Sequence, residues 1–457
     1  MYSPSKCEPE SRPSRGLITY CYFQFNTGFY IMIRSDEENL ELIKSTESVD
    51  EINAKFYGRF QYPWAPMVFN GLTDPYFETL MLNQSIGSWD HHVVPKDAKI
   101  WVAGCGTNQA VFTALRFPNS SVLGSDLSAK SLETCAQTAK QLGIANLELR
   151  EESINKAMYQ EPFDHIICTG VVHHNAEPKV ALDKLANALK PSGLLELMVY
   201  NRYHRIETTA FQKAVRTLGA STTGVNFESE MMIAKKIIHE SKMENSMTQF
   251  LHEYIDLPES QTADTLLQPV EYSLTVESLE ALSTSCGLEF VAPCINRFDK
   301  AKGTFFWNME FDDPDLQDRY DSLPDSRRWQ VSNLLMLEKS PMLWFYLQRK
   351  DAGRERKSEK QFCEEFLDSR FTRANTEMRA YVRDKDGKYK LSVRLVPYPD
   401  ARYPDTLCRQ IMESVVVQAP VRIGDIFQQL GIDTRFQVVN KLRLYLTTNA
   451  FPYLIAV

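Results

Sequence analysis

Gly104-Cys105-Gly106 ends the apolar run KIWVA and leads into the helix-like stretch NQAVFTALRF. Glycine has no Cβ, so a ligand can approach such a turn closely, and the following helix offers its first amides to a polar group. About twenty residues further on, a second apolar run ends in Asp126, whose carboxylate can accept both hydroxyls of a ribose. This order of strand, GxG turn, helix, strand and acid points to an adenosine-containing ligand. A dinucleotide loop needs a third glycine beside the pyrophosphate, and Gln109 stands in its place, which argues against NAD. Asn108 is expected to take a positive φ, because asparagine tolerates that conformation best after glycine.

Other residues that could act in chemistry cluster at the ends of later runs. FDHIICTG is followed by His173 and His174, imidazoles suited to proton transfer near neutral pH if the acceptor must lose a proton. Tyr200, Arg202 and Tyr203 follow LLELMV, at the sheet edge where open α/β folds bind ligands. Tyr57 and Tyr62, in FYGRFQYPW, are further substrate candidates.

The elements that must position these residues alternate short apolar runs with helical stretches from Lys99 to Tyr200, which predicts a parallel sheet covered by helices on both faces. Ser128 should cap one helix, Gly143 should end it, and Pro191 and Gly193 should stop the next. After Tyr200 comes a mostly helical, polar insertion of about seventy residues, too long for a bare loop and a candidate lid. A helix VESLEALSTSCG and two strand-like runs, LEFVAPCI and TFFWNMEF, should then close the sheet with an antiparallel edge. Residues 352–361 read as a linker or a solvated helix start. A hairpin with its turn near Asp386-Gly387 follows, and then a helix, turn, helix and strand in the outline of a winged-helix unit.

Taken in order, AGCGTNQ, GSDLS, FDHIICTGVVHHNAEP and LKPSGLLELMVYN resemble the motifs of class I S-adenosylmethionine-dependent methyltransferases. They are most similar to the branch written AGCGTGQ, DLS, GVLHH and LKPGG, with FYGRFQYPW in the place of a YPYPxW-like segment. The resemblance covers roughly residues 50–300 and implies a Rossmann-like, seven-stranded core. It further implies that Gly104, Cys105, Gly106 and Asn108 form the loop facing the methionine part of the cofactor and that Asp126 holds the ribose. Leu127 would touch the adenine, Ser153 and Ile154 would border its far edge, and Thr169-Gly170 would line the methyl-transfer face.

The fold class expected is therefore α/β, a methyltransferase core with a helical cap and lid and a small α+β, winged-helix-like C-terminal domain. The corresponding boundaries are an extension over 1–31, a helical cap over 32–95, the methyltransferase domain over 96–310 with a lid over 207–270, a connecting region over 311–351 and an accessory domain over 352–457. The activity expected is in-line methyl transfer from S-adenosylmethionine to oxygen, nitrogen or carbon of a small-molecule or peptide-like acceptor. A protein side-chain acceptor and a non-catalytic cofactor-binding scaffold are the alternatives, and a nucleotide-dependent oxidoreductase is discouraged by Gln109.

Composition sets the outer bounds. The 457 residues carry 51 Lys and Arg against 59 Asp and Glu, a formal charge of -8, which argues against nucleic acid as a partner of the whole chain. The scattered basic residues Arg435, Lys441 and Arg443 leave the C-terminal unit better suited to protein contact or homodimerisation than to DNA. Nine cysteines without a CxxC pair fit reduced thiols in a cytoplasmic protein, and the histidines lack metal-ligand spacing. LITYCYFQFNTGFYIMI, residues 17–33, is too short and polar to span a membrane, and residues 1–31 read as an appended or miscalled start.

Overall fold

The computed structural model describes residues 48–219, 226–242, 244–303, 305–416 and 419–457. The expected extension over 1–31 and the apolar stretch 17–33 lie outside the described residues. The first helices and strands are α1 (Val49–Arg59), β1 (Val68–Leu72), α2 (Phe77–Ser85), β2 (Lys99–Ala103), α3 (Gln109–Arg116), β3 (Ser121–Asp126), α4 (Ala129–Leu142), β4 (Leu147–Glu151), β5 (Phe163–Thr169), α5 (Pro178–Ala188) and β6 (Leu189–Val199). Helices α6 (Ile206–Gly219), α7 (Phe227–Glu240), α8 (Ser246–His252) and α9 (Glu259–Leu266) occupy the insertion. They are followed by α10 (Val276–Ser285), β7 (Leu288–Pro293), α11 (Arg297–Lys302), α12 (Pro314–Asp321), α13 (Asp325–Met336) and β8 (Leu343–Arg349).

The central sheet runs β4-β3-β2-β5-β6-β8-β7, and β8 is antiparallel to both of its neighbours. Its inner strands carry apolar side chains on both faces because helices cover both. In β2 the side chains alternate between two cores: Trp101 and Ala103 pack with Ile166, Cys168, Leu195 and Leu197, while Ile100 and Val102 pack with Val122, Ile167, Leu194 and Tyr346. Each large apolar side chain buried this way contributes about 1.5–3 kcal/mol.

Local signals act largely as expected. Ser128 Oγ accepts from Ser131 N at the start of α4, and Gly143 ends that helix in the left-handed conformation, φ 69. Two expectations need correction. Helix α5 ends at Ala188, ahead of Pro191 and Gly193, which lie inside β6; the β5–β6 register jumps there, from Phe163↔Leu189 to His165↔Leu194, so these residues sit in a bulge. The antiparallel strand of the sheet comes from 343–349, inside the expected connecting region, whereas 305–310 forms no strand. Trp307 of that segment is buried against Phe345 of β8, filling the core as a side chain instead of adding a strand.

The C-terminal region holds α14 (Glu359–Asp368), β9 (Arg370–Arg373), β10 (Thr376–Arg383), β11 (Tyr389–Leu391), β12 (Val396–Tyr398), α15 (Thr406–Ser414), β13 (Val421–Arg422), α16 (Ile423–Leu430), α17 (Phe436–Thr447), β14 (Phe451–Pro452) and β15 (Leu454–Ala456). It is interleaved with the N-terminal cap. Strand β1 pairs antiparallel with β10 from Val68↔Val382 to Leu72↔Met378, and the hairpin β10–β11 turns at Gly387, φ 78. Gln84 of α2 donates to Leu454 O at 3.0 Å and accepts from Ala456 N at 2.7 Å. The start of α14 is not solvated: Glu359 is 1% exposed and accepts from Arg328 at 2.9 Å, Trp329 at 3.1 Å and Asn440 at 3.2 Å. A buried carboxylate needs such partners, and they come from α13 and α17, which sequence spacing does not bring together.

Candidate active site

The loop after β2 is held by main-chain groups. Gly104 N and Cys105 N donate to Ser125 O at 2.8 and 2.9 Å, which binds the turn to β3. Gly104 and Gly106 have φ of 73 and 55. A Cβ on Gly104 would lie 2.3 Å from Val171 Cγ2, and one on Gly106 would lie 2.7 Å from Tyr62 O. The protein's own packing therefore requires both glycines. Asp126 Oδ2 accepts from Gly106 N at 2.8 Å and Oδ1 from Ser128 N at 2.9 Å. Burial outweighs these bonds and pushes the carboxyl above its ordinary value. An ionised carboxylate has about four lone-pair sites, so acceptor capacity remains for a ligand.

Asn108 corrects the sequence reading. Its φ is -150, at the N-terminal cap of α3, and the turn takes its positive φ values at the glycines instead. The Asn108 side chain donates from Nδ2 to Trp64 O at 3.1 Å. Thr107 adds Oγ1 to Pro63 O and N to Tyr62 O, so the loop grips the segment Tyr62–Trp64 by three bonds. Gln109 Nε2 donates to Thr169 Oγ1 at 2.7 Å and ties the loop to the end of β5.

A cavity of about 780 Å³ opens above this loop. Gly104, Cys105, Gly106, Asn108, Asp126, Leu127, Ser153, Ile154, Thr169 and Gly170 all line it, as do Tyr57, Tyr62, Tyr200 and His174. Ser153 Oγ donates to Asp50 Oδ2 of α1 at 2.6 Å, which fixes the far edge of the cavity to the cap. His173, Arg202 and Tyr203 are not on its wall. His173 is fully buried, its ring 3.9 Å from that of Tyr200 and 4.2 Å from that of His174, and neither ring nitrogen has a hydrogen-bond partner among the described residues. Burial holds it neutral, well below the usual imidazole range, and it cannot meet a substrate. The short turn Arg202–His204 presents His204 to the cavity instead of Arg202, which donates to Ser273 O at 3.4 Å, or Tyr203. His174 donates from Nδ1 to Val270 O at 2.7 Å, leaving Nε2 as an acceptor, but burial lowers its pKa to about 4. That makes it a poor base at neutral pH.

The wall facing the loop was missed in the sequence. Arg205 donates from Nε and Nη2 to the two carboxylate oxygens of Glu271, both at 2.6 Å, and from Nη2 to Thr265 O at 2.8 Å. Burial disfavours both charges, but their pairing wins: Glu271 is lowered and Arg205 raised. Asp264 of α9 lines the cavity with no ion-pair partner among the described residues, and burial pushes it up to about 7. Gln268 donates to Asp264 Oδ1 at 3.1 Å and to the Tyr57 hydroxyl at 2.8 Å. The sequence signal was that Asp264 and Gln268 sit within an insertion read as a lid.

Residues 96–255 match a family model described as a methyltransferase domain. The fold is also that of PKMT2 from Rickettsia typhi, whose structure aligns with a TM-score of 0.53 over 86% of this chain and 76% of that one at 16% identity. The chain carries a class I S-adenosylmethionine-dependent methyltransferase domain. The same protein in complex with AdoHcy aligns with the chain at a TM-score of 0.52 and 17% identity, covering 86% of this chain and 77% of that one. An uncharacterized protein of a Synechococcus strain is 27% identical over 243 residues, 52% of this chain and 57% of its own length. A ubiquinone biosynthesis O-methyltransferase of Paracidovorax citrulli is 26% identical over 125 residues, 27% of this chain and 52% of its own length. The chain thus spans about half the length of the curated relatives it matches. The methyltransferase domain has the chemistry to hold its cofactor: a loop without Cβ atoms at two positions and a carboxylate with free lone pairs on the same wall. No helix among the described residues is long and apolar enough to cross a membrane.

Proposed function

We propose that this protein transfers a methyl group from S-adenosylmethionine to an acceptor enclosed beneath the lid helices. The reading rests on the single cavity that joins the Gly104–Asn108 loop, Asp126 and the Thr169-Gly170 strand end to residues of α1 and α9. Asp126 would accept the ribose hydroxyls, Leu127, Ser153 and Ile154 would border the adenine, and Gly104, Cys105 and Gly106 would leave room for the amino-acid end. When bound, S-adenosylmethionine supplies a methyl group already activated for transfer. What remains for the chain is to hold the acceptor in line, exclude water and accept a proton where the acceptor carries one. The Tyr57 and Tyr62 rings, bound through the loop and Gln268, provide that positioning.

A peptide-like or protein side-chain acceptor is a second reading. It is supported by Trp64 and Phe298, which line the cavity yet stand 53% and 51% exposed, giving its rim an apolar contact surface. Helices α16 and α17 with the small sheet β13-β9-β15 support a winged-helix-like accessory module used for protein contact or dimerisation.

Titration calorimetry with S-adenosylhomocysteine tests the reading. Binding is expected, and Asp126→Ala should weaken it about ten- to a hundred-fold, the loss of one or two hydrogen bonds to a charged group. Absence of binding by folded protein would overturn it. Binding without label transfer from a labelled methyl donor to any fraction of cell extract would favour a scaffold role.

A further inference from the structure

Around Asp264 the cavity wall carries acceptors that the described residues leave unused. Asp264 is 9% exposed and lines the cavity; one of its carboxylate oxygens takes the Gln268 amide, and the other has no hydrogen-bond partner among the described residues. Arg205, the cation that acts on this carboxylate, is committed to Glu271 and to Thr265 O. His174 uses its N–H on Val270 O, and His204 uses its N–H on Ser340 O, so each leaves an unprotonated ring nitrogen. The aromatic rings of Tyr200, Phe250 and Tyr254 wall the same space. A buried carboxylate with no ion pair among the described residues, aromatic faces and free acceptors together suit a compact cation with several N–H donors.

We propose that the methyl acceptor is an amine, held as its ammonium by Asp264, which takes the proton that nitrogen must shed. This rests on the methyltransferase reading above. An ammonium N–H bond breaks, its proton passing to the Asp264 carboxylate and its electron pair remaining on nitrogen. That pair forms the new nitrogen–carbon bond as the methyl carbon parts from sulfur, which keeps the bonding pair and becomes a neutral thioether. The Asp264 carboxyl then gives its proton to water, so that one ammonium and one methyl donor yield one methylammonium, one thioether and one proton. Burial supports the role, since it brings the Asp264 carboxyl to about 7, within reach of proton exchange at neutral pH. Glu271 lies close enough to add to this shift, and Arg205 opposes it.

The test compares n-butylamine, 1-butanol and butyrate as probes of equal chain length, measured by ligand-observed NMR at pH 8 with the protein saturated in S-adenosylhomocysteine. Butylamine should bind about ten-fold or more tightly than either of the others, the contribution of one charge-assisted contact. Asp264→Asn should erase that preference while its affinity for S-adenosylhomocysteine stays that of the parent, which also reports that the variant is folded. Asp264→Glu should retain the preference. Equal binding of butanol or butyrate, or a preference that survives in Asp264→Asn, overturns the amine assignment alone. Failure of the parent protein to bind S-adenosylhomocysteine overturns the methyltransferase reading and this assignment with it.

Discussion

The wall formed by Gly104–Asn108 and Asp126 is held by the main chain, whereas the Asp264 wall is held by side chains from segments distant in sequence. On the first, backbone N–H groups from Gly106 and Ser128 hold the carboxylate, and the turn hangs from Ser125 O. On the second, Arg205, Glu271, Asp264, Gln268 and Tyr57 hold one another, and each loses its place if its partner goes. A main-chain wall tolerates substitution except where a Cβ is forbidden or where a side chain such as that of Asp126 or Asn108 supplies a polar contact. A side-chain wall fails wherever a buried charge loses its partner, and it is the wall that can distinguish one acceptor from another.

Four substitutions probe this contrast. Glu271→Ala leaves the Arg205 guanidinium, 9% exposed at its side chain, buried without its anion. A loss of about 3–5 kcal/mol is expected. The thermal midpoint should fall and amides of α6 and α9 should lose hydrogen-exchange protection, while affinity for S-adenosylhomocysteine persists. Loss of that affinity as well would mean that the two walls are one unit.

Asp264→Asn should act in the opposite direction and depend on pH. The Asp264 carboxyl rises from an ordinary 3.8 to about 7, through burial first, with Glu271 adding and with Arg205 and Gln268 opposing. The folded state therefore binds this proton more tightly than the unfolded chain. Stability falls as pH climbs through that interval, at up to about 1.4 kcal/mol per unit, and stays lower above it. The asparagine variant escapes this cost, so its advantage in thermal midpoint over the parent should grow from pH 5 to pH 8. A constant difference across that range would show that Asp264 is not the titrating group. The same charge helps to keep the Tyr57 and Tyr200 phenols protonated, after burial.

Gly106→Ala places a methyl group 2.7 Å from Tyr62 O at φ 55. Left-handed backbone alone costs about 1–2 kcal/mol for a residue with a Cβ, so affinity for S-adenosylhomocysteine should drop roughly ten-fold. Lid exchange protection should not change. The smallest effect belongs to Asn108→Gly, which loses the bond to Trp64 O, worth about 0.5–1.5 kcal/mol. A several-fold weaker titration is expected, whereas unchanged or tighter binding would restore the view that this position only serves a backbone angle.

Legibility followed the same division. The strands β2, β3 and β5, the glycine turn, the Ser128 cap and the placing of Asp126 were readable because each depends on residues a few positions apart. Asn108 was misread because backbone tolerance was the only local clue, and the carbonyl it serves belongs to Trp64, 44 residues earlier. The pair His173-His174 looked equivalent in sequence; packing against Tyr200 buried one entirely and left the other on the cavity wall.

The sequence by itself determined the glycine-loop wall of the cavity, since the periodicity of apolar runs, two glycines and a carboxylate at a strand end act through local backbone geometry. Only the tertiary structure decided the wall built around Arg205 and Asp264, the strand β8 that completes the sheet and the joining of β1 to β10. Those features depend on which buried charges, rings and strand edges find partners across the chain, and a group's partner, not its type, sets its charge state and its reach.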